Sequence, residues 1–153
     1  MERPNSSLVH MVRQWMTVNN QKEYFYLHNL GELAKTIAEL SSQGEDIILI
    51  GISFALLDLV DTIEVDSRLK DLNLTIIETG GMKGRKKEMI RKDVHKNLQI
   101  AFPKSSISSE YGMTELFSQA YWNSESEKFT THPSMQVNIR DVNDPFTRLS
   151  NNR

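Results

Sequence analysis

Two short strings, Glu78-Thr79-Gly80-Gly81 and Tyr111-Gly112-Met113-Thr114-Glu115, combine residue types that could hold a flat ring and a phosphate. Paired glycines let a backbone approach a planar ligand closely, and Lys83, Arg85, Lys86 and Lys87 crowd behind them. Without a Gly-Lys-Ser or Gly-Lys-Thr this is not a Walker loop, and a plain strand-to-helix turn with a solvated basic face accounts for the glycines alone. The second string is more specific. Tyr111 offers an aromatic face, Gly112 lets a turn close, and Thr114 starts a helix whose free amides suit phosphate. Glu115 would repel that phosphate by roughly 1–4 kcal/mol per charge pair at about 4 Å. A bridging magnesium would reverse the sign. The plainer alternative is that Thr114 and Glu115 cap a helix.

Other chemistry is poorly supported. His10, His28, His95 and His132 are scattered, with no metal-ligand spacing. Ser53 has no histidine at a recognisable spacing, which argues against a hydrolase triad. Trp15, Trp122 and the methionines read as packing residues. The chain lacks cysteine, which excludes disulfides and thiolate chemistry within it.

The elements that must position the two strings follow from hydrophobic spacing. Ser6-Ser7 caps a helix with apolar Leu8, Val9, Met11, Val12, Trp15 and Met16 on one face. Tyr24 to Leu27 reads as a strand. Asn29 caps a helix bearing Leu30, Leu33, Ala34, Ile37 and Leu40 that stops at Gly44. Ile47 to Ile50 is a continuous apolar run, as in strands buried on both faces. A helix follows Gly51-Ile52-Ser53, then a strand over 72–77 ahead of the glycine loop. Ile90, Val94, Leu98, Ala101 and Phe102 mark the next helix. Ser106 to Ser109 is predicted as a strand, 114–121 as a helix and 135–140 as a half-exposed strand. This alternation predicts an α/β fold, a mostly parallel sheet with flanking helices and right-handed crossovers. Ligands then collect outside the carboxyl ends of the strands, where Gly51-Ile52-Ser53, Glu78 to Gly81 and Glu110 to Glu115 converge.

A chain of 153 residues suffices for one domain. The expected division is a core over 1–141 and a loose, turn-rich tail over 142–153. With 39% hydrophobic and 25% charged residues and a net charge of −2, nothing draws the chain toward a nucleic acid polymer or an anionic membrane. No apolar run nears the ~18 residues of a membrane span and no signal-like start is visible, so a cytoplasmic location is expected.

Ser109-Glu-Tyr-Gly-Met-Thr-Glu-Leu-Phe-Ser-Gln-Ala-Tyr121 resembles the aromatic-Gly-x-Thr-Glu motif of the adenylate-forming superfamily. Within it the chain looks closest to the acyl-protein synthetase family of the LuxE type. Glu78 to Arg85, Ile50 to Asp58, Arg140 to Phe146 and Glu2 to Leu8 fit the same family in one colinear order. The resemblance implies part of an adenylate-forming N-terminal domain and an ATP-dependent ligase that activates a carboxylic acid, fatty acyl by family, as acyl-adenylate for a thiol or protein acceptor. It implies that Tyr111 stacks on adenine, with Thr79, Gly80, Gly81, Gly112 and Met113 shaping its site. Thr114 would contact phosphate and Glu115 hold Mg2+, these two carrying the catalytic roles. Gly51 to Phe54 would lie near the acyl pocket. Many of the family have His where this chain has Ser108, and that imidazole's role does not carry over.

The family's Ser/Thr/Gly-rich phosphate loop has no counterpart before residue 50, and its ribose-binding Asp, hinge and catalytic Lys do not appear. The expectation is therefore an internal fragment, inactive alone, with an apolar face open to self-association. The rival reading is a non-catalytic nucleotide- or acyl-binding or interaction module.

Overall fold

The computed structural model describes residues 6–22, 24–63, 70–81, 84, 88–112, 118–124 and 126–149. Among the described residues the helices are α1 (Ser7–Val18), α2 (Leu30–Ser42), α3 (Ser53–Ile63) and α4 (Arg91–Ala101). The strands among the described residues are β1 (Ile47–Gly51), β2 (Leu74–Glu78), β3 (Ser106–Tyr111), β4 (Ala120–Asn123) and β5 (Lys128–Thr131). The strands form one sheet in the order β1-β2-β3-β4-β5. The first three run parallel and the last two antiparallel, so the protein is α/β with a mixed sheet flanked by helices.

Local chemistry sets the helix ends. The Ser6 hydroxyl accepts the Val9 N–H at 3.4 Å, satisfying one of the donors that every helix start leaves free. Asn29 sits at the cap position of α2, but its amide donates to Glu32 instead of capping the backbone. Gly44 closes that helix with φ of 78°, a left-handed conformation that glycine adopts without penalty.

The strand order steps from β1 to β2 to β3 in one direction, so crossovers of one hand put α3 and α4 on the same face of the sheet, where the two helices pack on each other. There α4 also packs on β3, and α2 packs on α3 and β1. Strand alternation supplies the other half of the core. Leu74, Ile76 and Ile107 point toward the helices and are buried among Leu56, Leu59, Val94, Leu98 and Phe102. Each fully buried side chain of this size contributes about 1.5–3 kcal/mol.

The opposite face carries no comparable layer among the described residues. Ile48 is 62% exposed, which corrects the reading of Ile47 to Ile50 as a strand buried on both faces. An edge strand covered on one side keeps its apolar run but buries only alternate residues.

Three further expectations are corrected. Tyr24 to Tyr26 is irregular and no strand; the Tyr26 hydroxyl instead meets Thr36 at 2.7 Å. The helix expected over 114–121 ends in strand residues, since Ala120 and Tyr121 belong to β4; residues 113–117 lie outside those described. Aromatic residues of high β propensity and an Asn123 side chain that accepts the Ser126 N–H at 2.8 Å favour a hairpin there. Met135 to Ile139 is likewise irregular, with one isolated bridge from Arg140 to Arg148. Around that bridge the Asp141 carboxylate accepts the Asn143 and Asp144 N–H groups, and Leu149 N–H donates to the Ile139 carbonyl at 2.9 Å.

Candidate functional site

The three parallel strands end side by side. Gly51 pairs with Glu78, and Glu78 with Ser109, so the segments after them share one edge of the sheet. Thr79 N–H donates to the Gly51 carbonyl at 3.0 Å, which carries the pairing one residue past β2. The chain then turns through Gly80 and Gly81 at φ of 73° and 93°, where a side chain would cost about 1–2 kcal/mol. Gly51 is needed for a different reason: a Cβ there would lie 2.9 Å from Leu56 Cδ2, a buried core atom.

Tyr111, at the end of β3, is 45% exposed at the same edge. Its ring is braced by Phe129 at 5.8 Å between centroids, and Phe129 by Trp122 at 5.4 Å. The Arg91 guanidinium lies over Trp122 at 3.7 Å from its centroid, a geometry that lets a cation bind an aromatic face. A fixed aromatic ring loses little freedom when a flat ligand stacks on it. Beside it, a side chain at position 112 would run into the Glu110 carboxylate. Thus Thr79, Gly80, Gly81, Tyr111 and Gly112 meet along one edge. Met113, Thr114 and Glu115 lie outside the described residues.

Immediately behind this edge is a buried polar cluster that sequence reasoning did not assemble. Ser53, Glu78 and Ser109 are only 3%, 4% and 3% exposed. Ser53 Oγ donates to Glu78 Oε2 at 2.5 Å, and Gly80 N–H donates to the same oxygen at 2.9 Å. Ser109 Oγ donates to Glu78 Oε1 at 2.7 Å, and His95 Nε2 lies 2.7 Å from Ser109 Oγ. The Ser109 hydroxyl has a single proton and gives it to the carboxylate, so its lone pair accepts from His95 Nε2–H. Glu78 therefore acts only as an acceptor, and three donors surround it. No buried side-chain nitrogen or oxygen among the described residues lacks a partner. A buried charge is tolerable only under such complete satisfaction.

The cluster perturbs its neighbours. Burial pushes the His95 imidazole below the ordinary histidine value, Glu78 pulls it back up, and Arg91 lowers it. Burial raises the half-buried Glu110 carboxyl, and the Glu78 charge raises it further. Tyr121 is raised by burial and then by Glu110.

The residue types are those of a hydrolase, yet the order is wrong. A triad needs histidine between serine and carboxylate, whereas here Ser109 stands between His95 and Glu78. Ser53, set aside for want of a histidine, bonds the glutamate directly. The signal that could have found the cluster is strand alternation. Leu74, Ile76 and Glu78 share one face, as do Ile107 and Ser109, so Glu78 and Ser109 had to point inward.

Among the described residues no three His, Asp or Glu side chains are grouped to hold a metal ion, and no helix is long and apolar enough to cross a membrane. Comparison with protein-family models, curated proteins and solved structures finds no match to this chain.

Proposed function

We propose that this chain supplies the nucleotide edge of an ATP-dependent enzyme that activates a carboxylic acid as its acyl-adenylate. The observation that carries the reading is the shared edge: a half-exposed, braced Tyr111 level with the left-handed Gly80-Gly81 loop at the carboxyl ends of parallel strands. Open parallel sheets bind ligands at that end. Adenine would stack on Tyr111 while the glycine backbone closes on its rim. Glu78 holds that backbone through the Gly80 N–H.

In the reaction a substrate carboxylate oxygen attacks the α-phosphorus of ATP. The new oxygen–phosphorus bond forms as the bond to the β-phosphate bridge breaks, and pyrophosphate leaves with the electron pair. By the resemblance to acyl-protein synthetases, Thr114 contacts phosphate and the acyl group, fatty by family, passes to a thiol or protein acceptor. Magnesium on Glu115 would neutralise phosphate charge. Within the described residues the chain's own contribution is positioning, by Tyr111 and the anchored loop.

Titration calorimetry with AMP and with ATP tests this. Tyr111→Ala should weaken both alike, by about 1–3 kcal/mol if stacking has its usual size. Binding unchanged in that variant, or absent from the parent chain, would sink the nucleotide-edge reading.

A further inference from the structure

A polar concavity lies between α4 and the start of β3. It is a groove of about 350 Å³ lined by Lys92, His95 and Lys96 of α4, the start of β3, and Ser124 after β4. Gln99 and Ser105 also line it, but both are committed. Gln99 Nε2 donates to the carbonyls of Phe102, Pro103 and Ser105, and the Ser105 hydroxyl bridges Leu72 and Leu74.

Lys92 and Lys96 are exposed, one helical turn apart, and both line the groove, so their long side chains are within reach of one anion there. Neither has an ion-pair partner among the described residues. His95 stands between them and is oriented from behind. Its Nε2–H points inward to Ser109, which passes the bond on to Glu78. That inward bond fixes the neutral tautomer with its lone pair on Nδ1, which has no partner among the described residues. An imidazole held this way by a buried carboxylate can take a proton on its free nitrogen, and the chain to Glu78 then stabilises the cation.

We propose that this groove is a phosphate-binding site in which Lys92 and Lys96 supply positive charge and His95 Nδ1 takes up a proton as the anion binds. A phosphate dianion fits better than a single carboxylate because three converging positive groups can be matched only by a multiply charged, multi-oxygen ligand. The charged and titratable groups facing His95 are Glu78 from β2 and Arg91, Lys92 and Lys96 from its own helix. β3 and the turn after β4 contribute Ser109 and Ser124, which do not titrate. With the groove empty, burial favours the neutral ring. An anion between the lysines cancels the repulsion that opposes a third positive charge. The groove shares the Ser109–Glu78 hydrogen-bond chain with the nucleotide edge but uses neither Tyr111 nor the glycine loop, so phosphate binding at Lys92 and Lys96 is read separately from AMP binding at Tyr111.

The test is a proton NMR titration of the His95 ring across pH with inorganic phosphate added, against chloride at equal ionic strength. Phosphate should raise the His95 midpoint by about one unit, the usual size for an opposite charge brought alongside. Chloride should leave it in place. The Lys92→Ala/Lys96→Ala double variant should lose the shift and bind phosphate at least tenfold more weakly. His95→Gln keeps an amide donor toward Ser109, so it should fold as the parent does. In calorimetry with two buffers of different ionisation enthalpy it should bind phosphate without the proton uptake that the parent shows. An unmoved midpoint, an equal shift with chloride, parent-like affinity in the double variant, or proton uptake surviving in His95→Gln would each overturn the proposal.

Discussion

Glu78 and Glu110 are neighbours in the same edge of the sheet, and their environments differ sharply. Glu78 is buried but surrounded by the Ser53, Ser109 and Gly80 donors. Glu110 is half-buried, and burial and the Glu78 charge both raise its carboxyl above the ordinary value. Its folded-state pKa therefore lies above its unfolded one. The native state holds that proton more tightly, so this contribution to stability is fully present below about pH 4.5 and is lost as pH rises through the raised value. Glu110→Gln removes the titration. Its stability relative to the parent should climb between pH 4 and pH 7 in urea unfolding, and a difference flat across that range would contradict the account. The same residues show what sequence can and cannot reveal. Glu78, Gly80, Gly81 and Tyr111 were legible as an edge because glycine and strand-end chemistry are local. The bonding of Ser53 and Ser109 to Glu78, and of His95 to Ser109, was not, because three separate elements deliver them. Strand alternation turns Glu78 and Ser109 inward, but spacing along the chain does not show that Ser53 and His95 meet them.

At the scale of elements, helical and strand periods were read well where one face is covered. For α4, Val94, Leu98 and Ala101 are buried as spacing predicts, while Ile90 at its cap is 66% exposed. Hydrophobicity alone does not separate Leu98 from Ile100, two residues along the same helix. Leu98 is fully buried against the sheet, whereas Ile100 is 64% exposed. Leu98→Ala should cost about 2–5 kcal/mol through lost burial and the cavity left behind. Ile100→Ala should stay within about 0.5 kcal/mol, as surface changes usually do. Thermal or denaturant unfolding of the pair reads this directly, and similar losses in both would mean that α4 packs in a different register. The elements misread are those whose outcome depends on partners. Ala120-Tyr121 fits either a helix or a strand by composition, and only pairing with Tyr111 and with β5 selects the strand.

At the scale of the whole molecule, the consequence of one-sided covering is an apolar sheet face turned to solvent. Ile48 is mostly exposed, and Ile50 and Ile77 on the same face are only partly buried. β1 also ends the strand order and is paired on one side only among the described strands. An apolar face beside an open edge is the surface on which sheets associate. A net charge of only −2 on 153 residues gives weak repulsion between copies. We therefore predict that the chain self-associates through this face, with a sedimentation coefficient that rises with concentration. Ile48→Lys places a charge on the exposed patch, at the open edge of the sheet, without touching the packed core. It should return the chain to a monomer while changing stability by no more than about 0.5 kcal/mol. A variant that unfolds would instead mean that Ile48 is packed, and a parent chain that stays monomeric at high concentration would mean that the face is adequately solvated by its polar neighbours Thr75, Ser106 and Ser108. The two outcomes differ in the parent's own behaviour, so sedimentation of parent and variant together decides between them.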